Sequence, residues 1–440
     1  MATCIFRGDA PKIAQVQTFA FAGTWETTDV IRVTFSTGRY YDFTAGSVTT
    51  ATVVSNLVTA WNLLSAATYP EWAEITASAN TTTLTLTADT AGMPFAVTLT
   101  SFETGGGNAD SQTIEGVATG TLTATGTAGT AATANSGPSD WSVAANWSGG
   151  AVPTTGDTVY IENSNVDILY GFAQSGVTLA ALYIPASYTG KIGLPTMHAA
   201  SGTAAAYYEY RATELAIGAT IFQSGHGEGQ GSGRIKINFG SVATTCTVVN
   251  TGTTAETGLS AFLFRGTNAS NVLNIYGGTV GVAQLAGQSA TLATLNITST
   301  TGGNRFATVY CGTGLGTGVA VSMSGGNLIL NAGTASLAIY GGTVTLEAGA
   351  HPILNNQGGI LIANTSGTLA GTSITIGSTA TVDFDQSAAT KTVTADITCY
   401  RGATVKNGNA TLATLNLDPV GCRLEDIKLT SKAGSDVTIS

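Results

Sequence analysis

The chain has 440 residues, a formal net charge of −10 and only 10% charged residues. No Lys or Arg occurs between Arg39 and Lys191. Nucleic-acid binding requires clustered basic side chains, so we predict no nucleic-acid partner. No apolar run is long enough to span a bilayer, so we predict no membrane partner. Abundant Gly, Ala and Thr with little charge favour close-packed β-structure over disorder, and the length allows two or three hydrophobic cores.

The five cysteines are odd in number and widely spaced, with no CxxC pair and no Cys/His cluster. They therefore predict neither a disulfide framework nor a zinc site, and we expect no metal and no cofactor. The first 12 residues contain no uninterrupted apolar stretch, so a secretory signal is not expected. These features together favour folding in a reducing cytoplasm.

All five tryptophans lie before residue 150, which separates an N-terminal part from a tryptophan-free remainder. We predict that residues 1–16 form an arm that docks on a partner, and that residues 17–103 form a small α+β domain. Residues 31–35 alternate apolar and polar side chains, as a half-buried strand does, and Val53, Leu57 and Leu64 recur at helical spacing. The predicted order is strand, strand, helix, strand, strand.

Two phrases of this domain carry a resemblance. Residues 50–57 read Thr-Ala-Thr-Val-Val-Ser-Asn-Leu, and residues 84–92 read Leu-Thr-Leu-Thr-Ala-Asp-Thr-Ala-Gly, after Ile-Thr-Ala-Ser at 75–78. This succession resembles a small α+β module of phage tail and capsid accessory proteins and of flagellin-like surface proteins, over less than a quarter of the chain. Residues 104–139, almost all Gly, Thr, Ala, Ser and Asn, are predicted to be a flexible linker with a short strand at 121–125.

Residues 141–159 follow the pattern W-x4-NW-x2-G-x2-P-x2-GD-x-V, here called the tryptophan motif. It resembles a motif found ahead of parallel β-helices in bacterial surface proteins and phage structural proteins. The resemblance implies that Trp141, Asn146, Trp147, Pro153 and Asp157 form a structural cap. A cap has a physical reason, because the first coil of a solenoid exposes an apolar end and unpaired strand edges. Stacking of a sugar on Trp147 is the alternative.

Internal repeats dominate the remaining sequence. Ile-Tyr-Gly-Gly-Thr-Val occurs unchanged at 275–280 and 339–344, and a Thr-Leu-Ala-x-Leu-x-Ile/Leu segment begins at 178, 291 and 411. The 64 positions between the two hexapeptides fit three coils of about 21 residues. We therefore predict that the protein is mainly β and that residues 140–440 form a right-handed parallel β-helix; an array of β-sandwiches is the competing fold. Strands are predicted at 159–162, 179–184, 192, 215–217, 235–239, 272–276, 295–297, 328–330, 344–346, 360–363, 374–376 and 382–384.

Few residues suggest chemistry. Asp383 and Asp385 flank Phe384, so on a strand both carboxylates would point to one face, as a glycoside hydrolase requires. A solvent-facing polar strand is the simpler interpretation, and we predict no catalytic residue.

Residues 224–234 form a glycine-rich loop that contains His226 and Glu228 but lacks the GK[ST] of a phosphate-binding loop, so a turn between coils is expected. His198 and His351 are isolated and are expected to be structural.

Three classes of protein fit these features. The first is a non-enzymatic structural protein of a bacteriophage particle, most consistent with a capsid decoration (cement) protein assembled in the host cytoplasm. Its partners would be the major capsid protein or tail components, and the resemblance to β-helical virion proteins implies a homotrimer. The second is a tail fibre or tailspike that binds or cleaves polysaccharide, and the third is a bacterial surface adhesin.

Overall fold

The computed structural model describes residues 2–35, 39–104, 111–118, 126–225, 233–252, 256, 258–299, 306–364, 368–369, 373–388, 391–393, 396–408, 414–431 and 436–439. The structure is mainly β, as predicted. Only one α-helix and three 3-10 turns (Trp72–Glu74, Ala144–Asn146 and Leu424–Asp426) occur in the part of the chain just defined. None of the helices in that part is long and apolar enough to cross a membrane.

The first 133 residues contain eleven described strands and the helix. In chain order they are β1 (Thr3–Ile5), β2 (Val16–Ala22), β3 (Val30–Phe35), β4 (Tyr40–Thr44), α1 (Thr50–Asn62), β5 (Ile75–Asn80), β6 (Thr83–Ala88), β7 (Val97–Phe102), β8 (Thr113–Ile114), β9 (Val117–Ala118), β10 (Thr127–Ala128) and β11 (Thr130–Thr133).

The later strands are short and follow one another closely. They are β12 (Thr158–Tyr160), β13 (Ala173–Ile184), β14 (Met197–His198), β15 (Tyr207–Tyr208), β16 (Leu215–Ser224), β17 (Ile235–Asn238), β18 (Thr245–Val248), β19 (Phe262–Arg265), β20 (Val272–Ile275), β21 (Gly278–Val282), β22 (Thr294–Ile297), β23 (Ala307–Cys311), β24 (Ala320–Met323), β25 (Asn327–Leu330), β26 (Ser336–Ile339), β27 (Thr343–Leu346), β28 (Ile353–Asn356), β29 (Ile360–Ala363), β30 (Thr368–Leu369), β31 (Ser373–Ile376), β32 (Thr381–Asp383), β33 (Thr392–Val393), β34 (Ile397–Tyr400), β35 (Thr404–Asn407), β36 (Thr414–Val420), β37 (Lys428–Ser431) and β38 (Asp436–Ile439).

A long parallel stack contains 24 of these strands. β1, β12, β13 and β16 pair in that order, and β16 then pairs with both β17 and β18. From there the strands alternate between two parallel ladders, so β18 pairs with β20 and β19 with β21. Each coil thus adds one strand to each ladder, an arrangement consistent with a β-helix.

Columns of buried aliphatic side chains run through the stack. In one column Leu273 lies beside Leu295, which is followed in register by Val321, Leu337 and Leu354, all at most 2% exposed. The columns form because alternate residues of a strand point to the same face and the parallel register repeats that face in every coil. Each such side chain contributes roughly 1.5–3 kcal/mol of burial free energy before conformational entropy is subtracted.

The hexapeptide repeat marks one corner of the coil. Ile275 pairs with Ile297, Ile297 with Met323, and Met323 with Ile339, so three coils separate the two copies, as predicted. The register shows unequal coils of 22, 26 and 16 residues. Gly278 and Gly342 occupy this corner with φ of +83° and +85°, and an added Cβ would meet backbone atoms at 2.5 Å in both. Glycine is therefore required where the chain turns from one ladder to the other.

A second core lies outside the stack, between the helix and two antiparallel sheets. One sheet has the order β5-β6-β2-β8-β9 with β11 also on β2, and the other has the order β10-β7-β3-β4. Val53, Val54, Leu57 and Trp61 form the buried face of α1 against them. We call these strands and α1 the N-terminal sheets.

The predicted linker at 104–139 needs correction, because β8, β10 and β11 of that segment pair with β2 and β7 of the N-terminal sheets. Each of these three strands begins with a threonine, a residue that favours β-structure. The strand predicted at 121–125 lies outside the described residues.

The prediction that residues 1–16 form an arm that docks on a partner needs correction for the first residues, which pair with the chain's own stack. β1 pairs in parallel with β12, matching Thr3 to Thr158 and Ile5 to Tyr160. The first coil would otherwise leave its strand edge unpaired, and β1 covers that edge. The N-terminal sheets are consequently inserted in sequence between the first and second strands of the stack.

Candidate functional site

The tryptophan motif surrounds the N-terminal strand. Trp141 and Trp147 are at most 2% exposed and meet edge to face, with ring centroids 4.6 Å apart, and Phe6 packs on Trp147 at 5.3 Å. The indole N–H of Trp147 donates to the carbonyl of Trp141 at 2.8 Å. Because protein covers Trp147, it has no exposed face on which a sugar could stack. Phe6 had no distinguishing signal in the sequence, since a single apolar residue predicts no partner.

Asn146 is fully buried and connects three segments of backbone. Its Nδ2 donates to the carbonyls of Gly137 and Asp140 at 2.8 and 2.7 Å, and its Oδ1 accepts the N–H of Ala10 at 2.9 Å. Its own carbonyl accepts the N–H of Arg7 at 2.7 Å. A side chain with both donors and an acceptor is needed here, and among uncharged residues the amide of Asn supplies them at short reach.

Asp157 holds the start of the chain. Its Oδ1 accepts the N–H of Ala2 at 2.7 Å, and its Oδ2 accepts the N–H and hydroxyl of Thr154 at 3.0 and 2.9 Å. The hydrogen bond from Ala2, followed by those from Thr154, holds the pKa of Asp157 below its ordinary value. Pro153 is buried in the same turn, and Ser148 exchanges two further hydrogen bonds with Ile5. Of the five predicted cap residues, Asn146, Trp147 and Asp157 contact residues 2–10 directly, Trp141 packs on Trp147, and Pro153 lies in the turn that contains Asp157.

An ionic cluster joins the N-terminal sheets to the segment that precedes β16 of the stack. The carboxylate of Glu74, at the end of a 3-10 turn beside β5, accepts hydrogen bonds from the hydroxyls of Tyr207 and Tyr210 and pairs with Arg211 at 3.4 Å. Tyr210 also packs on Phe35 of β3, with ring centroids 4.5 Å apart. The segment around residue 210, which precedes β16, thus completes the second core.

Glu209, whose side chain is fully buried, extends this cluster to the partly exposed His198. It is bonded by Arg211 at 2.7 Å and by Nε2 of His198 at 2.7 Å. Burial would raise the pKa of Glu209, but the hydrogen bonds from His198 and Arg211 outweigh it and lower the pKa to about 2. His198, expected to be isolated, also stacks on Tyr207 at 4.6 Å. Sequence reasoning missed this cluster because its other members lie 124 to 137 positions from Glu74.

A shallow groove of about 330 Å³ lies on the outer side of the first coils. Tyr160 and Tyr183, adjacent in the ladder, stack there with centroids 5.0 Å apart and rings 23° from parallel. Glu162 and Gln223 line the same groove. Stacked aromatic rings beside polar side chains can bind planar or sugar-like ligands.

Asp383 and Asp385 do not form the predicted pair on one strand, because β32 ends at Asp383 and Asp385 lies in the following turn. Oδ1 of Asp383 accepts the N–H of Asp385 at 2.8 Å, and its Oδ2 pairs with Lys406 at 3.3 Å. Burial would raise the pKa of Asp383, but hydrogen bonds from Asp385, Gln386 and Lys406 lower it overall. A general acid in glycoside hydrolysis needs the opposite shift.

The structure describes only some of the other histidine and acidic residues considered from the sequence. His226 and Glu228 lie outside the described residues. His351 is buried, with Nδ1 3.0 Å from the hydroxyl of Thr334, and burial lowers the pKa of its ring. This position agrees with the structural role expected for it.

Comparisons of the chain with protein-family models, with curated proteins and with solved structures gave no match.

Proposed function

We propose that the chain is a non-enzymatic structural protein of a bacteriophage particle, and specifically a capsid decoration protein. The observation that carries the proposal is the continuous stack of 24 parallel strands, covered at its first coil by β1 and joined to a second core. Such an architecture presents an extended, rigid surface and suits a load-bearing role better than turnover of a substrate. The resemblances of the tryptophan motif and of residues 50–92 to phage structural proteins support the same assignment.

We also propose the handedness of the stack, the nature of the N-terminal sheets and the assembly unit. The stack is a right-handed parallel β-helix, and the N-terminal sheets form a small α+β domain that contacts the shell. The stack then projects outward or packs against neighbouring copies, with a homotrimer as the assembly unit. The contacts of Glu74 with Tyr207, Tyr210 and Arg211 support a fixed orientation between the two parts, since they join the turn before β5 to the segment before β16.

A tail fibre or tailspike that binds host polysaccharide is the second candidate. The groove with stacked Tyr160 and Tyr183 favours it, because sugar rings pack on aromatic faces while their hydroxyls bond to neighbours such as Glu162 and Gln223. Asp383 adds little to a cleavage mechanism, since its carboxylate is buried and paired with Lys406.

The copy number per particle distinguishes these functions. We would purify the phage particles and quantify this chain relative to the major shell protein by mass spectrometry. Hundreds of copies are expected for a decoration protein, and particles that lack the chain should lose resistance to heat or low salt. A few to a few dozen copies would place it in the tail instead. Its absence from particles would refute the virion assignment and favour a surface adhesin.

A further inference from the structure

One outer face of the stack consists of uncharged residues. Strands β16, β18, β20, β22, β24, β26, β28 and β31 pair in succession and form the first of the two ladders. Inward and outward residues alternate along them, as in β20, where Leu273 and Ile275 are buried and Asn274 is half-buried. Counted from Ile221 in β16 to Gly377 after β31, the outward residues and the residue after each strand are Thr, Ser, Asn, Gln, Gly, Ala, Val, Ile or Tyr. We call them the uncharged face.

The second ladder has a different composition. Its outward positions include Lys236, Asp383 and Lys406. The uncharged face itself ends before β34, which Asp396 directly precedes. Each copy of the chain has a net charge of −10, so two copies repel each other in general. On the uncharged face a second copy would meet no like charge.

Large apolar side chains are exposed on the same side of the stack. Ile221, Ile353, Tyr276, Tyr340 and, in the next coil, Tyr400 are 41–57% exposed. The three tyrosines follow one line along the stack, and three successive strand pairings separate each from the next, a distance of about 14 Å. Single exposed apolar residues are ordinary, but a set of them on one uncharged surface is typical of a protein–protein contact.

The width of the face fits three copies around one axis. Five residues of a strand span about 16 Å, and an equilateral triangle with sides of that length has each side about 5 Å from its centre. Packed sheets lie about 10 Å apart, so the side chains of each sheet fill about 5 Å. Three such faces therefore enclose a filled core, whereas four would leave each face about 8 Å from the centre.

We propose that three copies of the chain associate through the uncharged face, with their stacks parallel to a common threefold axis. The inference rests on the homotrimer of the proposed function and assigns the surface that forms it. Rotation about such an axis keeps every coil at its own height, so each residue meets its own counterparts, and a charged residue would meet like charges. Eight strands span about 38 Å, so each copy buries about 600 Å² and the trimer about 1,800 Å², which is within the range of stable interfaces.

Sedimentation velocity of the purified full-length chain measures the assembly. The parent should sediment as a trimer at micromolar concentration. Ala338→Lys and Ser322→Lys, in the middle column of the face, each place three like charges at one level. Each should weaken the trimer roughly tenfold or more, because like charges in an interface are costly. Thr345→Lys, on an outward residue of β27 in the second ladder, is the matched control and should remain a trimer.

Two further variants keep the test decisive. Tyr340→Ala leaves the charge unchanged and should also weaken the trimer, so it decides the question if the lysine variants fail to fold by circular dichroism. Ala338→Cys should link chains in pairs on a non-reducing gel after mild oxidation, because the threefold axis brings these positions together, whereas Thr345→Cys should not.

A monomeric or dimeric parent would overturn the threefold arrangement. Trimers that persist in both lysine variants and in Tyr340→Ala would overturn the assignment of the face. The outcome is separate from that of the particle experiment. If the variants dissociate as expected but the chain is missing from phage particles, the proposed function fails and the interface stands.

Discussion

Replacement of Asn146 by Ala tests whether the tryptophan motif holds the N-terminal strand. The substitution removes two hydrogen bonds to carbonyls, those of Gly137 and Asp140, and leaves the buried N–H of Ala10 without an acceptor. Both carbonyls keep a second, longer bond within their own turn, at 3.3 and 3.4 Å. The N–H of Ala10 has no such alternative among its described contacts, so it bears the full cost of desolvation.

The magnitude follows from these three losses. An orphaned buried donor costs about 1–3 kcal/mol, and each lost carbonyl bond about 0.5–1.5 kcal/mol. Together they lower the free energy of unfolding by about 2–6 kcal/mol, and we expect about 4 kcal/mol. Asn296→Ala is the matched control, since that half-exposed side chain donates one bond, to Asn274, on the outer face of the stack. It should cost about 0.5 kcal/mol.

Urea denaturation followed by tryptophan fluorescence gives the stability difference, because two tryptophans lie at the site. Hydrogen–deuterium exchange shows which part of the chain is destabilised. The amides of residues 2–10 should exchange faster in Asn146→Ala than in the parent, and the amides of β26 and β27 should exchange at the same rate in both. The reasoning is refuted if Asn146→Ala unfolds at the same urea concentration as Asn296→Ala. Unchanged exchange in residues 2–10 would equally refute it.

Val344→Asp should lower the melting temperature sharply, because Val344 is fully buried in the stack, whereas Thr345→Asp on the outer face should not; equal melting temperatures would contradict the register. The lowered pKa of Asp157 means that its stabilisation is present above the ordinary value of about 4 and is lost as the pH falls through the lowered one. As the pH is lowered from 7 through about 4, the melting temperature of Asp157→Asn should therefore fall less than that of the parent. The pKa of Glu209 is also lowered, to about 2, so ionised Glu209 stabilises the cluster at neutral pH and this stabilisation is lost as the pH falls toward 2. Glu209→Gln should accelerate trypsin cleavage at Arg211, and an unchanged cleavage rate would argue against the cluster as a lock.

The stacked coils could be predicted from the sequence because each coil depends on a short local pattern that recurs along the chain. The corner at Gly278 and Gly342 needs positive φ in every copy, so the same glycine pair recurs where the same turn recurs. Alternation of apolar residues then identifies the strands between the corners. The length of each coil could not be predicted as well. A loop between the two ladders can contain extra residues without changing the register of the strands that follow.

The start of the stack could not be predicted in this way. β1 has three residues, too few for any periodicity, and its partner β12 lies 155 positions later. The tryptophan motif was recognisable, but nothing in it indicated that its polar residues bind the chain's own first residues. The sequence therefore does not predict pairing between distant segments when neither segment carries a recognisable pattern.

The insertion of the N-terminal sheets between β1 and β12 has a mechanical consequence. The sheets are connected to the first coil at both of their ends, by residues 6–15 on one side and by the tryptophan motif on the other. Glu74 and Arg211 add a third connection, to the segment before β16. A body fixed at three points cannot swing about a single linker, so force applied to it is transmitted to the first coils. That is the property a shell-bound protein needs if its stack is to keep a set direction from the surface.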